Sequence, residues 1–155
     1  MKLPLMICLA TAALFSACQN NSKTPATDEV TAESVNEAEP EKECYRYVSN
    51  RDTISMSLEQ TNQVVTGELA YNFFEKDKSR GKVSGIKNGD TLLLIYNFEA
   101  EGTTSEREVA FLKRGNKLIQ GFGAEVEKDG SMIFKDKKQL RYDEDGVALT
   151  KTDCD

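Results

Sequence analysis

From Cys44 to Cys154 the chain alternates apolar and polar residues in short runs, and clusters of Gly, Asn or Asp stop each run. A period of two sends one face of a strand to a core and the other to water, and it constrains this chain more than any other feature. Ile54, Met56 and Leu58 alternate with Thr53, Ser55 and Ser57. Val65, Gly67, Leu69, Tyr71 and Phe73 alternate with Thr66, Glu68, Ala70 and Asn72. Further strands read over Tyr45 to Val48, Gly81 to Ile86, Thr91 to Glu99, Glu106 to Lys113, Lys117 to Glu127, Ser131 to Lys135, Gln139 to Tyr142 and Val147 to Thr152. Asn88-Gly89-Asp90 and Lys128-Asp129-Gly130 carry turn chemistry. The run Leu92-Leu93-Leu94-Ile95-Tyr96 predicts burial on both faces and hence a central strand, while Gly121 and Gly123 predict a bulge or sharp bend.

With no helical pattern between these strands, the expected fold is one all-β domain over residues 44–155. An antiparallel up-and-down β-barrel of about eight to ten strands is the first expectation, and a β-sandwich the alternative. The chain of 155 residues, 39% hydrophobic and 30% charged, suits one globular domain. No apolar run reaches the roughly 18 residues of a spanning helix.

Residues 1–17 read as an export signal. Lys2 is the positive start, Leu3 to Phe15 the apolar stretch, and Ser16 and Ala17 the small residues before a cut. Cys18 follows directly, so Leu14-Phe15-Ser16-Ala17-Cys18 resembles the lipobox of bacterial lipoprotein signal peptides. It departs from the usual pattern in having Phe15 three places before the cysteine, a relaxation familiar in Bacteroidota. The resemblance implies that Cys18 carries diacylglycerol and an acylated amino terminus, a membrane anchor of two or three chains. Gln19 instead of Asp after the cysteine implies the outer membrane, by a lipid anchor that could face periplasm or medium.

Residues 18–43 then read as the lipidated cysteine and a disordered acidic tether. Beyond Cys18 this stretch holds two lysines, Lys23 and Lys42, against seven acidic residues, and its large aliphatic residues are Val30 and Val35. Too little apolar surface is available there to offset the entropy of ordering. After Cys44 the charges nearly cancel, leaving no basic excess for a phosphate backbone, so nucleic acid is not an expected partner.

With Cys8 in the leader and Cys18 lipidated, Cys44 and Cys154 remain, and in an oxidising compartment they are expected to form a disulfide. The bridge would join the first strand to the last, where a barrel must close to remove its edges. The shape would then be lipocalin-like, although the chain has no tryptophan and so lacks the Gly-x-Trp signature of true lipocalins. The pattern Gly67-Glu68-Leu69-Ala70-Tyr71-Asn72, Gly89-Asp90-Thr91-Leu92, Tyr96, Phe98 and Ser105-Glu106-Arg107-Glu108-Val109-Ala110-Phe111 is similar to that of a group of small uncharacterised Bacteroidota lipoproteins, a resemblance that implies no activity.

The chain has no histidine, so a serine or cysteine nucleophile lacks its ordinary general base. No catalytic residue, cofactor motif or metal site is expected. The carboxylates Glu75, Asp77, Glu99, Glu101, Glu106 and Glu108 flank two loops and could serve a hydrolase only if two converge in a cleft. Glu101 and Arg107 are the candidate ligand contacts at a barrel mouth. Asp143-Glu144-Asp145-Gly146 fits a β-turn better than a calcium loop. Asp52-Thr53-Ile54 and Asp90-Thr91-Leu92 resemble the Bacteroidota O-glycosylation sequon, which makes Thr53 and Thr91 candidate acceptors. The expected function is a non-enzymatic binding module for a small apolar ligand or an envelope partner. The rival is a structural or interaction barrel with a packed core.

Overall fold

The computed structural model describes residues 39–154. Cys18, the export signal and residues 19–38 of the tether lie outside the described residues. Eleven strands follow in order: β1 (Glu41–Ser49), β2 (Asp52–Thr61), β3 (Val64–Asn72), β4 (Ser79–Asn88), β5 (Thr91–Ala100), β6 (Thr103–Arg114), β7 (Lys117–Phe122), β8 (Glu125–Lys128), β9 (Ser131–Phe134), β10 (Arg141–Tyr142) and β11 (Ala148–Thr152). A single 3₁₀ turn, Lys137–Gln139, precedes β10. The first strand begins at Glu41, so the last residues assigned to the tether are already part of the sheet.

Strands β1 to β7 pair antiparallel in sequence order, and β11 lies between β7 and β1, which closes an eight-stranded barrel. The closure is antiparallel throughout, with Leu149 opposite Leu118 and Tyr45 opposite Lys151. A barrel, and not a sandwich, is therefore the architecture. Cys44 and Cys154 are disulfide-bonded beside the β1–β11 seam, their Cα atoms 5.2 Å apart.

Two-residue loops make most of the hairpins, as the pairs Ser49–Asp52, Thr61–Val64, Asn88–Thr91, Ala100–Thr103 and Arg114–Lys117 show. Positive φ at Asn50, Asn62, Gly89, Gly102 and Gly115 supplies the twist these short loops need. The longer connection, residues 73–78, joins β3 to β4. It lies at the same end of the barrel as the β1–β2 and β5–β6 turns. The opposite end carries the start of β1 and the end of β11.

Inward positions follow the period of two. Tyr45, Ile54, Met56, Leu69, Leu94, Phe111, Leu118 and Leu149 form the interior cluster. Gly67 and Gly81 occupy inward positions too, and a Cβ on either would strike a neighbouring strand's backbone, at Ser57 and Asn97 respectively. These sites let the strands coil tightly enough to close.

The run over β5 is not buried on both faces. Leu92, Leu94 and Tyr96 are buried, but Leu93 and Ile95 are half-exposed on the outside, because a closed barrel has no central strand. The expected strand from Lys117 to Glu127 breaks after Phe122, as the two glycines implied. Beyond the break β8 and β9 form a hairpin, and β9 runs parallel to the first half of β6. Ala110 and Ile119 alternate with the inward Phe111 and Leu118, so they face outward, yet both are fully buried. The segment from β9 to β10 covers this face, with Phe134 and Leu140 against Gly123 and the Tyr142 ring against Gly121.

Candidate functional site

One end of the barrel is plugged. Glu43 points inward from β1 and accepts hydrogen bonds from Lys113 Nζ at 2.7 and 2.9 Å, Lys151 Nζ at 2.6 Å and Tyr45 Oη at 2.8 Å. Burial alone would raise its pKa, but the two ammonium groups and the phenol outweigh that and hold the carboxyl at about 2. Burial, reinforced by the adjacent carboxylate, pushes the Tyr45 hydroxyl well above the ordinary phenol range.

The other end is open. A cavity of about 470 Å³ enters there, walled by Tyr71, Phe73, Tyr96, Phe98, Phe122, Phe134 and Val147, with Arg107, Gln120, Asp77 and Glu125 as polar lining. That volume lies within the range of small-molecule sites, as does a mostly apolar wall with few polar groups. Tyr96 and Phe98 stack at 4.7 Å between centroids, and Tyr71 meets Tyr96 edge-on at 5.9 Å. The Arg107 guanidinium sits 5.9 Å from the Phe98 centroid.

The polar groups in this cavity differ in how well they are satisfied. Tyr96 donates to Ser79 Oγ at 3.2 Å. The Tyr71 hydroxyl is buried and has no hydrogen-bond partner of good geometry among the described residues. Burial pushes its pKa well up, against smaller opposing effects of the Arg107 charge and the nearby Gln120 amide. Burial likewise raises Tyr96, with Ser79 and Arg107 opposing. One cation is thus close to both phenols. Arg107 makes no ion pair among the described residues.

Of the two candidate ligand contacts, Arg107 lines the cavity and Glu101 does not. Glu101 is exposed at the tip of the β5–β6 turn with φ of 49°. Inward facing at Arg107 follows from its pairing with Tyr96, which a loop residue cannot share. Among the six carboxylates considered for hydrolysis, Asp77 and Glu108 border the cavity. Glu108 already accepts from the Phe134 N–H at 2.9 Å and pairs with Lys137 Nζ at 2.7 Å. Glu106 accepts from Asn97 and Ser131 outside the barrel wall.

Thr53, the second residue of β2, and Thr91, the first of β5, hold outward positions, and both are half-buried. Asp52 of the first tripeptide accepts from the Phe74 N–H at 2.7 Å, which ties it to the β3–β4 loop. The Thr91 hydroxyl lies beside that of Tyr142, whose pKa burial raises. At 143–146 the Asp143 side chain accepts from the Asp145 N–H and its carbonyl from the Gly146 N–H, a β-turn.

Sequence reading did not single out Glu43, which lay within the tether, or the specific aromatic set. The signal for the second was available, because Tyr71 and Phe73 share one strand phase and Tyr96 and Phe98 another. No known protein family matches the chain, and no curated protein or solved structure is detectably similar to it.

Proposed function

We propose that this protein is a lipid-anchored, non-enzymatic binding module of a bacterial outer membrane, holding a small apolar ligand in the open end of its barrel. The cavity of about 470 Å³ with its aromatic wall is the observation that carries the reading. The leader ending at Cys18 supports the anchor and the compartment. The disulfide suits an oxidising environment of that kind. The packed core reaches Ile54, Tyr96 and Val109, and the cavity beyond it favours a ligand over a purely structural barrel.

Native mass spectrometry of the protein extracted from its own membrane tests both parts together. The expected spectrum shows acyl mass on Cys18, loss of the leader and a dissociable small molecule of low polarity. An unacylated protein would remove the anchor, and a protein that neither retains nor takes up any apolar compound would remove the binding role. An envelope protein offering an apolar side chain to the mouth is the second reading, favoured by Phe122 and Phe74, which stay 47% and 38% exposed at that end.

A further inference from the structure

We propose that the cavity takes an amphipathic monocarboxylate, its carboxylate held by Arg107 and Tyr71 and its apolar tail against the aromatic wall; this rests on the binding role proposed above. Three strands show the same order from the mouth inward. On β3, Phe73 lies just past the strand end and Tyr71 one inward step deeper. On β5, Phe98 precedes Tyr96, and on β7, Phe122 lies mouthward of Gln120. Arg107 stands opposite Tyr96 in the β5–β6 register, and its side chain is exposed, with the guanidinium 5.9 Å from the centroid of the Phe98 ring. Phe73, Phe98 and Phe122 thus line the entrance beside Arg107, and Tyr71, Tyr96 and Gln120 lie one step deeper.

Two donors that line the cavity, the Tyr71 hydroxyl and the Arg107 guanidinium, are open to a ligand. The Tyr71 hydroxyl is buried with no hydrogen-bond partner of good geometry among the described residues, the Gln120 amide lying nearby, and a phenol is satisfied most strongly by donating to a charged oxygen. Arg107 offers a planar fork, and no side chain among the described residues forms an ion pair with it. Glu108, which borders the cavity, spends its oxygens on Phe134 and Lys137. One fork and one phenol suit the two coplanar oxygens of a single carboxylate, and the aromatic ring above suits a hydrocarbon tail.

The test compares dodecanoate with dodecan-1-ol, which share a tail and differ in the head. The acylated protein, reconstituted in nanodiscs, is titrated with carboxyl-¹³C dodecanoate, and empty nanodiscs provide the blank. The expected result is a protein-dependent carboxyl resonance, with dodecanol competing at least about tenfold more weakly. Arg107→Met is expected to weaken dodecanoate by at least about tenfold while leaving dodecanol unchanged, and Arg107→Lys to recover part of the loss. Tyr71→Phe is expected to weaken dodecanoate by a smaller factor. Equal affinity for acid and alcohol, or an Arg107→Met protein that binds dodecanoate as the parent does, overturns the carboxylate assignment and leaves the apolar binding role standing. Binding of neither compound overturns both.

Discussion

The two ends of this barrel start from similar parts and finish differently. Each has an inward tyrosine, Tyr45 at the plugged end and Tyr71 at the open one, and each receives a cation from β6, Lys113 and Arg107 respectively. At the plugged end Glu43 accepts from the tyrosine and from both ammonium groups. No carboxylate does the same for Arg107 and Tyr71 among the described residues. Satisfied polar groups seal a barrel, whereas unsatisfied ones hold space for something else.

Separating the plugged end from the rest should give the largest effect. Replacing Cys44 and Cys154 by serine is expected to cost on the order of 4 to 5 kcal/mol in the chain-entropy account of so long a loop, read as a lower urea midpoint. A double variant as stable as the parent would mean that hydrogen bonds alone secure the seam. Next comes Glu43→Gln, which removes the negative charge and one of the two acceptor oxygens facing the two ammonium groups and should cost about 1–3 kcal/mol. The folded carboxyl sits at about 2 against an ordinary 4.5. Its contribution is therefore complete above pH 4.5 and disappears as pH falls from there toward 2. Urea midpoints of Glu43→Gln should be flatter than the parent's across that window, and identical slopes would assign acid unfolding to other carboxylates.

A finer contrast uses one substitution at both ends. Tyr45→Phe removes a bonded hydroxyl and should destabilise by about 1 kcal/mol. Tyr71→Phe removes an unpartnered one and should be neutral or stabilise the ligand-free protein by up to about 1 kcal/mol. Equal losses at the two positions would mean that Tyr71 finds a partner in solution. Smallest of all is Arg80→Ala. Its pair with Glu68 lies in solvent on the outer wall, so Tm should not move measurably.

Much of the fold was legible because a strand with one wet face writes its period into the residues. The alternations at 54–58 and 65–73 and the turns at Gly89 and Gly130 all appear where the pattern puts them. The run at 92–96 misled, because apolar residues on the outer wall of a barrel read like those of a strand buried on both faces. The site was less legible. Arg107 was reachable from its strand phase, but Glu43 looked like one more acid in an acidic segment, and only the β1–β11 register brings Lys151 to it. Pairing across the seam depends on residues more than a hundred positions apart, which local pattern cannot encode. Likewise Gly81 reads as a weak point in a strand until the Asn97 backbone is seen against it.

The seam disulfide also has a mechanical meaning. Cys44 lies on β1 near its start, and the bond carries the chain across to Cys154, two residues past the end of β11. Tension arriving from the segment before Cys44 therefore enters two staves at once, one through the backbone and one through sulfur. Once past Cys44, a pull from this pole must part β1 from β2 and β11 from β7 at the same time, two rows of strand hydrogen bonds in place of one.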